Sequence, residues 1–292
     1  MKSETTQMVT AGGNAPGVAI VVHGHNDYAS AAEHLALTLR LHSPNVPVHL
    51  WAAPNMRFDH SLFTEVHPLD PAFYEQGPGA CKTLLYDLLP EGKWLYLDAD
   101  TLCIADITPA LERLSHHDFA IEVLGMGKEG DPINYMPWAS PGTIREVANI
   151  GDGATYYGVQ SSWVWVTKPS TLCANIYTAA KATRFEPKHL KEKWGRDIPD
   201  ELRMSAALTK TGTTPHSEKL LFYGNGKEYK NLSEVAQDRP LLCLYGDRRQ
   251  HRLIRTSWFD AYDKYIRKVY RDSGRQLYVS LDRIMDNKYI NR

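Results

Sequence analysis

Two aspartates stand two residues apart, at Asp98 and Asp100, directly after the apolar run Lys93-Trp-Leu-Tyr-Leu97. In an extended chain leaving a strand, residues i and i+2 point to one side. The spacing therefore predicts that both carboxylates converge on one hard cation. Mg2+ and Mn2+ take oxygen ligands from one or two carboxylates together with phosphate oxygens. A cation held there would neutralise a diphosphate leaving group. The plain alternative is a pair of solvated loop residues that cap the turn. Thr108-Pro109 already supplies the N-cap and N1 signals of the following helix, so the aspartates are not needed as its cap.

A second group is His23-Gly24-His25-Asn26-Asp27-Tyr28. Gly24 relieves crowding where a ligand approaches the backbone, and the Tyr28 ring suits stacking on a nucleobase. Taken alone, Asn26-Asp27-Tyr28 reads as a turn and helix N-cap. His23 and His25 share a face, with no acidic or thiol partner nearby to suggest a metal pair. Lys82 stands 16 residues before Asp98 and opens a helix, from which it could reach a phosphate as a point charge. Its plain reading is a surface lysine.

These residues need a frame to hold them. Gly17-Val-Ala-Ile-Val-Val-His23 is a continuous apolar run, as in a strand buried on both faces. Ser30–Leu41 carries a helical stripe at Ala32, Leu35, Ala36 and Leu39, stopped by Pro44 and Pro47. Val48–Trp51, Lys93–Leu97, Phe119–Val123 and Ser162–Val166 read as further strands, and Gly79–Leu88 as a helix. The alternation predicts an α/β fold, a mostly parallel central sheet flanked by helices. In such sheets the site lies at the carboxyl ends of the strands.

The 292 residues, 43% hydrophobic and 23% charged, can bury a substantial core. The expected organisation is a flexible segment over 1–16, a catalytic domain over 17–246 and a basic, aromatic-rich helical segment over 247–292. The four cysteines form no CxxC pair, which excludes zinc knuckles and thioredoxin chemistry. Residues 1–14 hold no apolar signal-peptide core, and no apolar run is long enough to span a bilayer. A reduced cytoplasm, or a host's cytoplasm for a viral protein, is the expected location. No GxGxxG follows a strand, and GxxxxGK[ST], HExxH and GxSxG are absent, which argues against dinucleotide oxidoreductases, P-loop enzymes, zincins and α/β-hydrolases.

Charge is uneven along the chain. From Asp247 to the end, twelve Lys and Arg stand against six Asp, a surplus of +6. Trp258, Phe259, Tyr262, Tyr265, Tyr270, Tyr278 and Tyr289 are interleaved with them, a pattern that suits a polyanion or a sugar. The plain reading is a solvated amphipathic helix over Trp258–Arg271.

Taken together, Asn26-Asp27-Tyr28 at the end of the first strand, Lys82, and Trp94-Leu-Tyr-Leu-Asp98-Ala99-Asp100-Thr-Leu102 resemble a known family. It is the GT-A fold glycosyltransferases related to glycogenin and to bacterial galactosyl- and glucosyltransferases (family 8-like). Gln160-Ser161-Ser162 with Trp163–Val166 is similar to the family's Asn-Ser-Gly plus apolar strand, and Asp200-Glu201 to its Asp-Gln pair. The resemblance covers roughly residues 17–210, with the D-x-D block its specific part. Gln160 and Ser162 depart from the pattern. The family's late metal-binding His has no clean match in Cys243-Leu-Tyr245-Gly246. Tyr245 or Cys243 stands near its place, and His251 is the expected substitute, because imidazole suits Mn2+ better than a thiol does.

The resemblance implies transfer of a hexose, glucose first, from a UDP-sugar to a hydroxyl acceptor with retention of configuration. It implies Mn2+ or Mg2+ on Asp98, Asp100 and His251. It places His23, Asn26, Tyr28, Lys82, Asp98 and Ala99 at the nucleotide-sugar, and Asp200, Gln160 and Lys82 at the reacting centre. The basic tail adds one acceptor to the expectation, a hydroxymethylated pyrimidine in DNA such as a phage's. The rival class is a nucleotide-sugar-binding interaction module that has lost catalysis.

Overall fold

The computed structural model describes residues 15–75, 81–131, 139–190, 198–223, 231–243 and 258–277, without the side chains of 258–260 and 262. Tyr245, Arg248, Arg249, His251, Arg252, Tyr278, Tyr289 and residues 1–14 of the expected segment 1–16 lie outside the described residues. Gly79 and Ala80, at the start of one expected helix, do as well.

The first half follows the expected alternation. β1 (Gly17–Val22) leads into α1 (Asn26–His42), then β2 (Val48–Ala52), β3 (Glu65–Pro68) and α2 (Pro71–Tyr74). A 3-10 turn over Lys82–Leu84 runs into α3 (Leu85–Leu88), followed by β4 (Gly92–Leu97), β5 (Thr101–Cys103) and α4 (Thr108–Leu114). Then come β6 (Phe119–Lys128), α5 (Pro141–Ala148), β7 (Thr155–Lys168), α6 (Thr171–Ala182) and α7 (Asp200–Thr211). β8 (Leu221–Phe222), α8 (Leu232–Asp238), β9 (Leu241–Cys243) and α9 (Trp258–Asp272) complete the order.

The main sheet has the order β3-β2-β1-β4-β7-β6. β3, β2, β1 and β4 are parallel, and β7 runs against β4. β6 runs against β7 and so shares the direction of the first four. The expected mostly parallel, helix-flanked sheet is therefore what the chain builds. A smaller sheet, β5-β9-β8, shares the core that α1 covers. On one face α1 supplies Ala32, Leu35, Ala36 and Leu39 to a core with Val18, Ile20 and Leu50. On the other, α6 and α7 pack Ile176, Tyr177, Met204 and Leu208 against Ala19, Tyr96 and Val164. Trp94 lies across Gly17, where a Cβ would come within 2.9 Å of its ring, so only glycine admits that approach.

Two local expectations change. α1 starts at Asn26, not Ser30, and its cap is His25, whose Nδ1 accepts from the Asp27 amide at 3.3 Å. Asp27 Oδ2 also lies 3.2 Å from that nitrogen, an acidic neighbour that the bare pattern of His23 and His25 did not disclose. α4 starts at Thr108 with Ile107 at its N-cap and no side-chain cap bond, while Asp106 just before it accepts from the Thr108 amide at 2.9 Å and hydroxyl at 2.7 Å. Thr108 is the first helical residue, and not the cap.

The described part of the basic tail follows the plain reading. Ile266, Val269 and Tyr270 of α9 are buried, while the Tyr265 hydroxyl donates to the Cys103 carbonyl at 2.6 Å. Tyr270 meets His34 Nδ1 at 2.7 Å, which ties α9 to α1. On the outer face Arg267 pairs with Asp263 and Lys268 with Asp272, while Arg275, beyond the helix, pairs with Asp59.

Candidate active site at the carboxyl ends of the strands

β4 ends at Leu97 and the chain turns at once, the Thr101 amide donating to the Asp98 carbonyl at 3.1 Å. Asp98 and Asp100 thus lie on a turn, and the extended alternation expected of them does not hold. The Asp98 amide stays tied to the sheet through the Ser162 carbonyl at 2.9 Å. Its carboxylate accepts from the Tyr96 hydroxyl at 2.8 Å and from Lys82 Nζ at 2.9 Å. Burial raises the Asp98 pKa, Lys82 opposes the rise, and the Asp100 and Asp200 charges add to it. Asp100 is itself buried, and Ala99 fills the turn between the two.

Lys82 is no surface lysine. Its ammonium also donates to the Ser161 carbonyl and hydroxyl, each at 3.2 Å, and lies 3.2 Å from Asp200 Oδ2. Burial works against its charge, yet Asp200 and Asp98 together hold its pKa well above the ordinary lysine value. Ser161 in turn donates a short hydrogen bond to Asp200. Asp200 is the first residue of α7, where the exposed amides and helix dipole favour a carboxylate.

The Gln160-Ser161-Ser162 motif reaches this cluster because β7 bulges. Val164 pairs with Ile121 and Gln160 with Glu122, so three residues of β7 lie between consecutive partners on β6. Bulges of this kind re-aim side chains next to sites. The Gln160 amide donates to Ser162 Oγ at 3.1 Å and to Glu201 Oε1 at 3.4 Å. Burial, with the Asp200 charge beside it, pushes the Glu201 carboxyl up to about 8. Glu201 is therefore largely protonated at neutral pH and resembles in shape and charge the glutamine expected there.

Across from this group, at the end of the neighbouring strand β1, Gly24 has φ +83° with open space where a Cβ would stand. That positive φ is a backbone conformation that favours glycine. His23 stacks on Tyr74 with ring centroids 5.8 Å apart, and burial lowers its pKa. Asn26 accepts from the Arg57 amide at 3.0 Å, and Tyr28 packs partly buried against the α1 core. Hydrogen bonds and ion pairs join Lys82, Asp98, Asp200 and Ser161, and Gln160 bonds to Glu201, the residue after Asp200. His23, Asn26 and Tyr28 form a separate group on the same edge of the sheet. Of the candidate third ligands, Cys243 pairs with Thr101 beside Asp100 and directs its thiol to Ser162 Oγ at 3.7 Å.

Ser161, Tyr96 and Glu201 complete the constellation without having been singled out. Ser161 was visible only as part of a motif. Tyr96 faces Asp98 because residues two apart on a strand end share a side.

Asp98, Asp100 and Asp200 offer only oxygen, the donor type that suits a hard divalent cation, although their oxygens do not all lie within 4.8 Å of one another.

No family model matches the chain, and no curated protein does. Several solved structures have a similar fold. The apo structure of WbbM, a bifunctional glycosyltransferase, is 15% identical over 80% of this chain, with TM-score 0.47. This chain covers 46% of that one, less than half its length. The galactosyltransferase LgtC, in complex with donor and acceptor sugar analogues, is 11% identical over 88% of this chain and 95% of its own, with TM-score 0.48. Apo mouse xyloside xylosyltransferase 1 is 11% identical over 80% of this chain and 99% of its own, with TM-score 0.47. At these values the likeness assigns no residue a role.

Proposed function

We propose that this chain is a metal-dependent glycosyltransferase that moves a hexose, glucose first, from a UDP-sugar to a hydroxyl acceptor with retention. One observation carries the reading. A buried lysine from the turn before α3 joins the aspartate after β4 to the aspartate that opens α7, at 2.9 and 3.2 Å. Three segments distant in sequence converge at the carboxyl edge of a mostly parallel sheet, where such folds bind ligands. The convergence unites Lys82, Asp98 and Asp200, three of the residues on which the sequence resemblance rests.

In this reading Asp98 and Asp100 hold Mn2+ or Mg2+, with His251 as the third ligand. The cation, when bound, neutralises charge on the departing diphosphate. Lys82 steadies the phosphates or sugar with a fixed positive charge and orients both aspartates. Asp200 faces the anomeric carbon and stabilises the positive charge that builds there as the leaving bond breaks. Gln160, held by Glu201, lines the same pocket. Preorganised groups in a dry site act more strongly than they would in water. Tyr28 stacks on the uracil, Asn26 and His23 position the nucleoside, and Ala99 lies beneath the diphosphate. The acceptor class is open to assay, and a DNA acceptor would draw on the basic residues outside α9.

The test is a UDP-release screen across sugar nucleotides and acceptor classes, including hydroxymethylated duplex DNA, with Mn2+ and with chelator. Metal-dependent release supports the reading. UDP binding without turnover on any donor would favour the inactive binding module.

A further inference from the structure

A different set of side chains meets at the opposite end of the sheet. His49 is the second residue of β2, and Glu65 and His67 lie on β3, the edge strand. β2 and β3 are parallel, with His49 paired to Glu65 and Trp51 to His67. Paired residues and residues two apart share a sheet face, so the register itself puts all three on one side. Each contributes one atom to a common point. His49 Nδ1 is 3.2 Å from His67 Nε2 and 3.6 Å from Glu65 Oε2, and the third edge is 3.8 Å. Among the described residues it is the group of three His, Cys, Asp or Glu whose ligand atoms gather within 4.8 Å.

The spacing fits a small ion better than it fits hydrogen bonding alone. The two ring nitrogens are within hydrogen-bonding distance at 3.2 Å, while the Glu65 oxygen, at 3.6 and 3.8 Å, is too far from either for a good hydrogen bond. Tetrahedral zinc, with bonds of about 2.0–2.1 Å, needs its ligand atoms about 3.3–3.4 Å apart. The observed triangle requires shifts of a few tenths of an ångström. The rings are already held. Trp51 stacks on His67 at 4.5 Å, Trp94 meets the edge of His49 at 4.9 Å, and the two imidazole planes lie within 10° of parallel. Preset rings lower the ordering cost of binding. The Glu65 side chain is 60% exposed, which gives an ion an entry path and leaves a water the remaining position.

We propose that His49, Glu65 and His67 form a zinc site that clamps the four-residue edge strand β3 to β2. Two imidazoles with one carboxylate suit Zn2+, whereas Mg2+ and Mn2+ prefer oxygen donors. The site is separate from the Asp98 cluster, which follows the carboxyl end of β4, a strand parallel to β2 through β1.

The experiment uses the tag-free full chain stripped with chelator, titrated with Zn2+ by calorimetry and with Co2+ by absorption. One equivalent of Zn2+ should bind, and Co2+ should give the intense visible bands of a tetrahedral N/O site. Zinc at a hundredfold excess over its Kd should raise the unfolding midpoint by about 5 °C. His67→Ala and Glu65→Gln should each abolish that event, while an Asp98→Asn/Asp100→Asn variant keeps it. Glu65 is exposed enough for Glu65→Gln to fold if His67→Ala does not. No saturable Zn2+ event, or one that survives Glu65→Gln and His67→Ala unchanged, would overturn the assignment.

Discussion

Lys82 Nζ lies 3.2 Å from Asp200 Oδ2, which joins the 3-10 turn before α3 to the first residue of α7. The pair is buried, and Asp98 closes it from the other side at 2.9 Å. Lys82→Met removes the cation that pairs with both Asp98 and Asp200. Breaking a buried pair from one side costs about 3–5 kcal/mol. Denaturant unfolding should show a loss of that order, together with loss of sugar transfer. Unchanged stability would mean that water already compensates the three charges.

Glu201 sets a pH dependence. Its carboxyl is raised by burial to about 8, above the 4.5 of an exposed glutamate. The folded state therefore holds a proton that the unfolded chain has released, and stability falls as pH rises between those two values. Below that window the contribution is fully present, and above about 8 it is gone. Glu201→Gln keeps the neutral shape and has no proton to lose. Its stability relative to wild type should grow from pH 5 to 8 and then level off. A difference constant over that range would contradict the burial account.

Asp59 works in the opposite sense. Hydrogen bonds from Arg275 and then Ser61 hold its carboxyl down to about 2. Its contribution is present above the ordinary carboxylate range and fades as pH falls toward about 2. Both side chains are partly exposed, so the effect is small. Arg275→Gln should destabilise the chain slightly at pH 6, and the difference should vanish in acid-unfolding curves near pH 2. The same destabilisation at both pH values would remove the ion pair from the account.

For the nucleotide, Tyr28→Ala should weaken UDP binding by about 1–2 kcal/mol, the scale of one base on an aromatic platform. Tyr28 also packs against the α1 core, so the Kd is compared at a temperature where both proteins are folded. An unchanged UDP Kd would leave Tyr28 a packing residue of the first helical turn.

Much of the frame was legible because its signals are local. Gly17–Val22 is apolar throughout, and the Ala32, Leu35, Ala36, Leu39 stripe has one period, so β1 and α1 announce themselves. Their junction was less legible, because the cap is a histidine, His25, outside the usual N-cap residues. Asp98 and Asp100 were found by type and spacing, yet their geometry was misjudged. Nothing local distinguishes a strand that continues from one that turns at Asp98. Lys82 was found by its position, but its burial depends on Asp200, 118 residues later in the chain. The carboxyl state of Glu201 and the bulge at Ser161–Trp163 are products of packing between β6, β7 and α7. The His49, Glu65, His67 triangle was missed because it needs the β2–β3 register, and residues paired 16 apart give no contiguous motif.

The central claim is that the Asp98–Asp100 turn, held by Lys82, binds a metal–diphosphate. Calorimetric titration of UDP into the wild-type chain and into Asp100→Asn, each with Mn2+ and with chelator, tests it most directly. The account predicts tight UDP binding to wild type only with Mn2+, and Mn2+ should no longer strengthen binding in Asp100→Asn, since an amide is a far weaker ligand for a hard cation. Equal UDP affinity with and without Mn2+, or an Mn2+ effect retained in Asp100→Asn, would contradict it.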